Sequence, residues 1–592
     1  MQTTKSRSTS SSPRNQPWHL GNTTVRTPFR LADALRILSE SEFNGNLVDE
    51  PSQIRFGQRL FEEGYLRSVS PDPETAAWNS RKWRSAMYQL GFISPEIVKN
   101  LPPGQVDIKI SAVANGMPGI SARQFEITPS GLRLAHAESV VQKQECFLRA
   151  LLAYRVPSPI EGTHKEVAPF SPLRITLKTL LALDSAGHAG HISFVEMGSL
   201  VQFCKSEDAV PSLVNDIVAY RALRLDAVNK RAFDREFQNK VLVEHENVVK
   251  RATLDDYADV NFRYLKATGL LSGTRGSIIL AADKLREIRL IMDPPDEWPG
   301  DDAYLRRLWD GAPLPTDDIS EAGLAIRNLE RELREAGRSP SVPSLAGLPA
   351  PELEQIRLGL EEARRVLREE QFAQSQRAEF GSIHELLLLM DNRRERSMAY
   401  AREAPAYLEW VFWRAFLAIN TLTNRPWEVR QFAIGADLNP LSNAPSRRPD
   451  IICEFQDFVL VVEVTFTENS RQEAAEGEPV RRHVADVTQQ HLSSGKPVYG
   501  LFIAPRIDPN TAETFGHGTF ILGGERFALN IVPVTIAQFT RMFEAGFKRG
   551  QGIGPDDVRS FLDGSIGRRS VDGEAWKAEI EGLVNECSVN TA

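Results

Sequence analysis

The pattern of apolar and polar positions divides the chain into a long helical part and a shorter part with buried strands. Over roughly the first 430 residues, apolar positions recur every three or four residues, as on one face of a helix, and Glu138 to Tyr154 is the clearest case. Further along, apolar residues form short continuous runs that are typical of buried strands. These runs are Phe458 to Thr467, Lys496 to Pro505 and Asn530 to Thr535. A helix between the first two runs predicts an α/β sheet covered by helices.

Two places in the helical part have the pattern of a winged-helix unit. The first is a short strand at Phe125, a Thr-Pro cap and a new helix that continues to Ala135. In the second, Thr253 and Asp256 resemble a capping box, the helix is expected to end at Gly269, and a Gly-rich turn leads into a short strand. Such a helix could lie in the major groove of DNA. The alternative is an ordinary strand-to-helix turn with a solvated helix face.

Basic side chains on the second unit are the candidates for DNA contact. Arg263 and Lys266 lie near one another on the predicted helix, and Arg275 is expected at the tip of the wing. Residues 221–290 contain 14 Lys and Arg against 10 Asp and Glu, a net charge of +4. The alternative is a charged helical surface with a modest basic excess.

Breaks rich in Pro and Gly suggest the domain organisation. The stretch from Asp293 to Asp302 interrupts the helical pattern, and Ser339 to Pro351 reads as a linker. The predicted parts are a disordered tail (1–22), winged-helix-like subdomains (23–155 and 156–292), a helical linker (293–380), an α/β domain (381–585) and a second tail (586–592).

The composition argues against several classes of protein but does not indicate a specific function. The net charge is −8 over 592 residues, which argues against a protein that coats nucleic acid indiscriminately. No apolar run is long enough to span a membrane. The four cysteines are far apart, so neither a zinc knuckle nor a disulfide framework is expected, and a reducing cytoplasm is the predicted location.

The candidate chemistry lies in the first apolar run. Glu463 is its one acid, and a charge inside an apolar strand is costly unless it is paired or binds a cation. Asp450 lies far enough upstream to sit on a neighbouring strand or its end. Together the two carboxylates predict an oxygen-rich Mg²⁺ site, with the carbonyl of Val464 as a further ligand.

The residues Pro449-Asp450, Glu463 and Thr465 resemble the motif of the PD-(D/E)xK nucleases, with Thr465 where that motif has lysine. The longer string from Val462 through Ser470 to His483 resembles the AlwI family of type IIS restriction and nicking endonucleases. This resemblance runs from about Thr27 to about Val534.

The AlwI resemblance assigns two further acids. It implies a third carboxylate near the site, which Glu476 matches best, with Glu473 and Glu478 as alternatives. It also implies an acid on a helix before the core, and Glu409 fits; a salt bridge with Arg414 is the alternative for that residue. Arg481, Arg482 and His483 would face phosphate or pair with the site acids.

The expected function is therefore that of a modular restriction or nicking endonuclease. The resemblance implies recognition of a short asymmetric sequence in double-stranded DNA and Mg²⁺-dependent cleavage at a fixed distance outside it. One nuclease core cuts one strand, so cleavage of both strands needs a homodimer or a second nuclease chain. A cognate DNA methyltransferase is expected in the same restriction-modification system. Because the usual lysine is missing, a DNA-binding protein with an inactive nuclease domain is the alternative.

Overall fold

The structure is a computed structural model that describes residues 16–47, 50–66, 73–95, 125–161, 167–274, 276–295, 297–419, 421–548, 550 and 552–589. Its fold is mixed α/β. The chain forms two compact units: an N-terminal unit of residues 1–62 and 68–362, and a C-terminal unit of residues 63–67 and 363–592. Arg275 and most of the expected N-terminal tail lie outside the described residues.

Helices dominate the N-terminal unit. They are α1 (Arg30–Ser39), α2 (Glu50–Glu62), α3 (Pro73–Gln89), α4 (Pro129–Ala135), α5 (Val140–Ala153), α6 (Pro172–Ser185), α7 (Phe194–Ser199), α8 (Val210–Asp226), α9 (Lys230–Glu244), α10 (Arg251–Lys266), α11 (Leu285–Met292), α12 (Asp301–Asp310) and α13 (Ile319–Glu335). The next helix, α14 (Ala350–Ser375), contains the boundary between the units.

Short strands form two small antiparallel sheets in this unit. Strands β1 (Ile93–Pro95) and β2 (Phe125–Ile127) pair with each other, and β3 (His191–Ser193), β4 (Leu271–Thr274) and β5 (Ser277–Leu280) are arranged in the order β3-β5-β4. The sheet of three strands thus joins a strand before α7 to the hairpin that follows α10.

Local capping explains where several helices begin. At the start of α5, the Ser139 side chain accepts from the Gln142 N–H, and the Gln142 side chain accepts from the Ser139 N–H, which forms a capping box. The side chain of Ser193 caps α7 by accepting from the Glu196 N–H. The capping box expected at Thr253 is wrong: α10 begins at Arg251, and Asp256 instead accepts a 2.9 Å hydrogen bond from Arg26. Asp256, the acid of the expected capping box, therefore forms an ion pair with Arg26.

Neither predicted tail has the expected bounds. Trp18 and Leu20 are buried, and the Trp18 Nε1–H donates to the carbonyl of Cys204 at 2.9 Å. Their apolar area belongs to the core, and the tail therefore cannot extend to residue 22. At the other end, the last helix continues through residue 589.

The C-terminal unit is built around a buried sheet of four strands. Its helices are α15 (Phe380–Asp391), α16 (Arg393–Ala399), α17 (Ala404–Leu417), α18 (Pro426–Val429), α19 (Glu478–His491), α20 (Pro509–Gly516), α21 (Ile536–Lys548), α22 (Pro555–Gly567) and α23 (Gly573–Val589). Its strands are β6 (Ile451–Glu454), β7 (Val459–Val464), β8 (Val498–Ala504), β9 (Thr519–Leu522), β10 (Glu525–Ala528) and β11 (Asn530–Thr535).

The order of the sheet is β11-β8-β7-β6. Strands β7, β8 and β11 run parallel, whereas β6 is antiparallel to β7. Every residue of β8 is buried, and so are the first five residues of β7. Helix α19 packs on β7 and β8, so the residues at the start of this helix come close to the end of β7. No helix among the described residues combines the length and apolarity needed to cross a bilayer.

Candidate active site

The antiparallel pairing of β6 and β7 brings Asp450 to the end of β7. Ile451, the first residue of β6, lies opposite Val462, and Asp450 precedes it. The Val464 N–H donates to Oδ2 of Asp450 at 2.8 Å. This bond holds the Asp450 carboxylate one residue beyond Glu463 along β7. The structure thus places the two predicted carboxylates at the same end of the same strand pair.

Glu463 is the buried acid of β7, and its partner comes from α19. Its side chain is 11% exposed, and Oε1 lies 2.7 Å from Nδ1 of His483. Burial, together with the positive charge of Arg482, lowers the pKa of His483 to about 4. The imidazole is therefore neutral at neutral pH, and it contacts Glu463 through a hydrogen bond.

Glu476 reaches the site from a turn of π-helix, Glu473–Gly477, which leads directly into α19. Its Oε1 accepts hydrogen bonds from the hydroxyls of Thr465 at 2.8 Å and Thr467 at 3.2 Å. Thr465 occupies the position where the nuclease motif has lysine, so the residue at that position binds the third acid instead of supplying a positive charge.

The two alternative acids of this segment have other partners. Glu473 accepts a 3.4 Å hydrogen bond from the Thr514 hydroxyl. Glu478 is 56% exposed and forms an ion pair with Arg482 at 3.2 Å. Of the three candidates, Glu476 is the one bonded to a residue of the motif.

Glu409 lies on the buried helix α17. Asn443 Nδ2 donates to its Oε1 at 2.7 Å, and the Ala444 N–H donates to its Oε2 at 2.8 Å. Arg414, the expected partner in a salt bridge, donates through Nε to Gln376 at 2.6 Å. Both Glu409 oxygens are thus held by the segment that leads towards Asp450.

Mutual repulsion shows that these acids form one electrostatic group. Burial raises the pKa of Asp450 well above its usual range, and the charges of Glu409, Glu463 and Glu476 raise it further, against the hydrogen bond from Val464. Burial also raises the pKa of Glu463, and Glu476 and Glu409 raise it further, whereas Arg482 lowers it. Buried acids that repel one another are typical of functional sites.

The donor set suits a hard divalent cation. Its ligand atoms would be carboxylate oxygens, which Mg²⁺ prefers, and a cation among them would relieve the repulsion that raises both pKa values. Within the described residues, no three His, Cys, Asp or Glu side chains meet as a preformed metal-binding group. Two carboxylates and a backbone carbonyl, the set predicted from the sequence, remain the candidate ligands.

The basic residues predicted to contact DNA are not displayed on an open helix face. Arg263 Nε donates to Asp259 at 3.0 Å and its side chain is 9% exposed, while Lys266 is 4% exposed. DNA contact by either residue would require it to leave its present position. Their role in DNA binding stays a prediction.

Sequence patterns did not indicate every residue at the site. Asn443 holds Glu409, yet it lies in an irregular loop and carries no spacing signal. Thr467 continues the two-residue alternation of Glu463 and Thr465, a signal that could have identified it. His483 was expected to face either phosphate or the acids, and the structure places it against Glu463.

One of the comparisons with known proteins identifies a family. The family model described as AlwI restriction endonuclease matches residues 88–542. Among solved structures, the chain is similar to the small subunit of the heterodimeric restriction endonuclease R.BspD6I, with 21% identity, coverage of 35% of this chain and 98% of that chain, and a TM-score of 0.28. That structural likeness is too slight to carry an argument. No curated protein matches the chain.

Proposed function

The chain belongs to the AlwI restriction endonuclease family, and from that membership we propose that it is a magnesium-dependent type IIS enzyme that cuts DNA at a fixed distance outside an asymmetric site. Membership makes it a type II site-specific deoxyribonuclease, a hydrolase that acts on DNA. The proposal adds the type IIS mode, the metal and the residues that act. The main support for the metal site is the bond from the Val464 N–H to Asp450, which holds that carboxylate beside Glu463.

In this proposal Asp450, Glu463 and the carbonyl of Val464 hold the metal. A bound Mg²⁺ would supply charge to stabilise the phosphate and to activate the attacking water. The chain's own residues prepare that site: the Val464 N–H orients Asp450, and His483 orients Glu463. Both carboxylates must lose their protons before they can bind a cation.

Glu476 acts as a further ligand or as the base that accepts a proton from water. The hydroxyls of Thr465 and Thr467 hold its Oε1, which leaves Oε2 for that task. Glu409 is held through both oxygens, so it contributes to catalysis through its charge and the position of the loop that it binds. Arg482 lowers the pKa of Glu463, so its charge acts on the site where the motif's lysine is missing.

The N-terminal unit is the proposed recognition part, with winged-helix-like subdomains and a helical linker divided as the sequence suggests. The strand order β3-β5-β4, with a hairpin directly after α10, supports the winged-helix interpretation of the second subdomain. Double-strand cleavage would engage a second nuclease domain from a homodimer or a partner chain, and a methyltransferase would protect the host site.

Run-off sequencing of both strands of plasmid DNA tests this function. The protein is incubated with the plasmid in Mg²⁺, and a parallel sample contains EDTA. We expect breaks at a constant offset from one asymmetric sequence, present with Mg²⁺ and absent with EDTA. Sequence-specific binding without any break would favour the inactive nuclease domain instead. Breaks inside a symmetric sequence would contradict the type IIS assignment.

A further inference from the structure

A hairpin that the sequence patterns did not indicate packs through β9 on α19, the helix that carries His483. Strands β9 and β10 pair only with each other among the described strands. They are joined by Gly523 and Gly524, whose φ angles are +58° and +87°. Two residues with positive φ form the tight turn that matches the twist of a hairpin, and glycine adopts that conformation without strain.

The two faces of this hairpin differ in character. Phe520 and Phe527 are cross-strand partners; Phe527 is buried, and the Phe520 ring packs against the Arg481 guanidinium at 5.6 Å. This pair forms the inner face. Ile521 and Arg526 are the next partners, and they point the opposite way because side chains alternate along a strand.

The outer face combines apolar area with the positive charge of Arg526, whereas the exposed Glu525 lies on the opposite face. Ile521 is 69% exposed, and Arg526 is also exposed. Thr519 and Ala528 complete this face, so it carries no acidic residue. In the part of the chain that the structure describes, Arg526 forms no ion pair. Such a surface favours a polyanion that also offers apolar contacts, such as a nucleic-acid duplex.

One turn of helix joins the hairpin to the catalytic acids. Arg481, which supports Phe520, donates through Nε to the carbonyl of Gly477 at 3.0 Å. Gly477 directly follows Glu476, and His483 on the same helix contacts Glu463. Helix α19 packs on both β7 and β9. The hairpin is therefore fixed to the same elements that carry the carboxylates.

We propose that the outer face of the β9–β10 hairpin is a DNA-contact surface that rests on the duplex beside the bond being cut. Arg526 contacts a backbone phosphate, and Ile521 packs against sugar or base edges. A ribbon of two strands fits the major groove, where apolar side chains contact the methyl group of thymine. This inference rests on the proposed nuclease function and identifies how the cutting unit holds its substrate.

The test uses the whole chain with Arg526→Gln and Ile521→Asp. The matched control is Val571→Asp, because Val571 is also 69% exposed and the substitution adds the same charge. Binding to a labelled duplex spanning the wild-type cut is measured in EDTA by fluorescence anisotropy over a range of salt, and single-turnover cleavage is measured in Mg²⁺. If the wild-type protein makes no cut, a labelled duplex of random sequence is used in place of the duplex that spans the cut.

We expect Arg526→Gln to reduce the slope of log affinity against log salt by about one, the value for one lost phosphate contact. Ile521→Asp should weaken binding at least about threefold, because it places a negative charge against the phosphates. Both should slow cleavage below saturation, and Val571→Asp should match wild type.

Two results would overturn the inference. The first is that both hairpin variants bind DNA with the same affinity and the same salt dependence as wild type. The second is unchanged DNA affinity with a changed sedimentation profile, which would make a second copy of the chain the occupant. If the proposed nuclease function is wrong, the wild-type protein leaves DNA intact in Mg²⁺. The role of the hairpin is then still decided by comparing DNA binding of wild type and the two hairpin variants in EDTA.

Discussion

The hydroxyl of Thr465 donates a 2.8 Å hydrogen bond to Oε1 of Glu476. Thr465 stands where the PD-(D/E)xK motif that this sequence resembles has lysine, and Glu476 is the acid proposed to compensate for it. The hydrogen bond joins these two features, because the residue at the lysine position orients the side chain of Glu476. It supports the proposal that Glu476 takes over part of the work of the missing lysine.

Thr465→Val should lower the cleavage rate about tenfold or more, because the variant keeps the shape of the side chain but loses the bond that orients Glu476. Thr465→Ser keeps a hydroxyl and serves as the control, with activity near wild type. Single-turnover rates at saturating DNA provide the measurement. Equal rates for the Val and Ser variants would show that the bond is dispensable.

Glu476→Gln should lower the single-turnover rate by ~10²-fold or more, the scale of a positioned acid–base group. Glu473→Gln and Glu478→Gln should retain most activity, since those side chains bond to Thr514 and Arg482. The three variants are compared at the same Mg²⁺ concentration. A larger loss at Glu473 or Glu478 than at Glu476 would transfer the role to that residue.

Glu463→Ala should abolish cleavage while specific DNA binding stays nearly intact, because the carboxylate is proposed to hold the metal and not to read bases. Asp450→Ala should behave in the same way. A mobility shift on DNA containing the cut site, run beside a cleavage assay, separates the two effects. Cleavage at the wild-type rate by either variant would place the active site elsewhere.

The parts that follow from local patterns were predictable from the sequence. Continuous apolar runs predicted β7, β8 and β11, and the helix between β7 and β8 predicted an α/β sheet. The position of Glu463 in such a run made it a candidate functional acid. These features depend on residues close together in the chain, where periodicity is a direct guide.

Features that depend on distant partners were not predictable in the same way. Asp256 is drawn from a cap to Arg26, and Asn443 meets Glu409 from a loop without a periodic pattern. Arg263 and Lys266 have the right spacing for an exposed basic face, yet tertiary packing buries both. Helical spacing fixes which side chains share a face, but neighbouring elements decide whether that face is open.

Glu463→Gln should stabilise the metal-free protein at neutral and higher pH. Because the pKa of Glu463 is raised on folding, the folded state holds its proton more tightly than the unfolded state. Above about pH 4.3, the ordinary pKa of this carboxyl, it ionises more readily in the unfolded state. The stability of wild type therefore falls as pH rises. Thermal melts in EDTA from pH 4 to pH 9 should show that the melting temperature of Glu463→Gln exceeds that of wild type by an amount that grows with pH. Mg²⁺ should reduce that advantage by stabilising wild type alone. A constant difference across this range would contradict the prediction.

Arg357→Met should strongly destabilise the N-terminal unit because it leaves a buried carboxylate without one of its cations. Arg357 pairs with Glu145, which also accepts from Arg149 at 2.9 Å. Burial opposes ionisation of Glu145, but Arg357 and Arg149 outweigh it and lower its pKa. Removing one partner of a buried pair costs roughly 3–5 kcal/mol.

The pH dependence of that loss identifies its cause. A lowered folded-state pKa gives stability that is present above the ordinary carboxyl pKa and lost as pH falls through the folded value. The difference between wild type and Arg357→Met in the free energy of unfolding should therefore be largest near pH 7 and shrink under acid conditions. Denaturant titrations at pH 7 and pH 4 measure it, and Arg334→Met, at an exposed ion pair, is the control with a loss below about 1 kcal/mol. An equal loss at both pH values would assign the effect to packing of the Arg357 side chain and not to its charge.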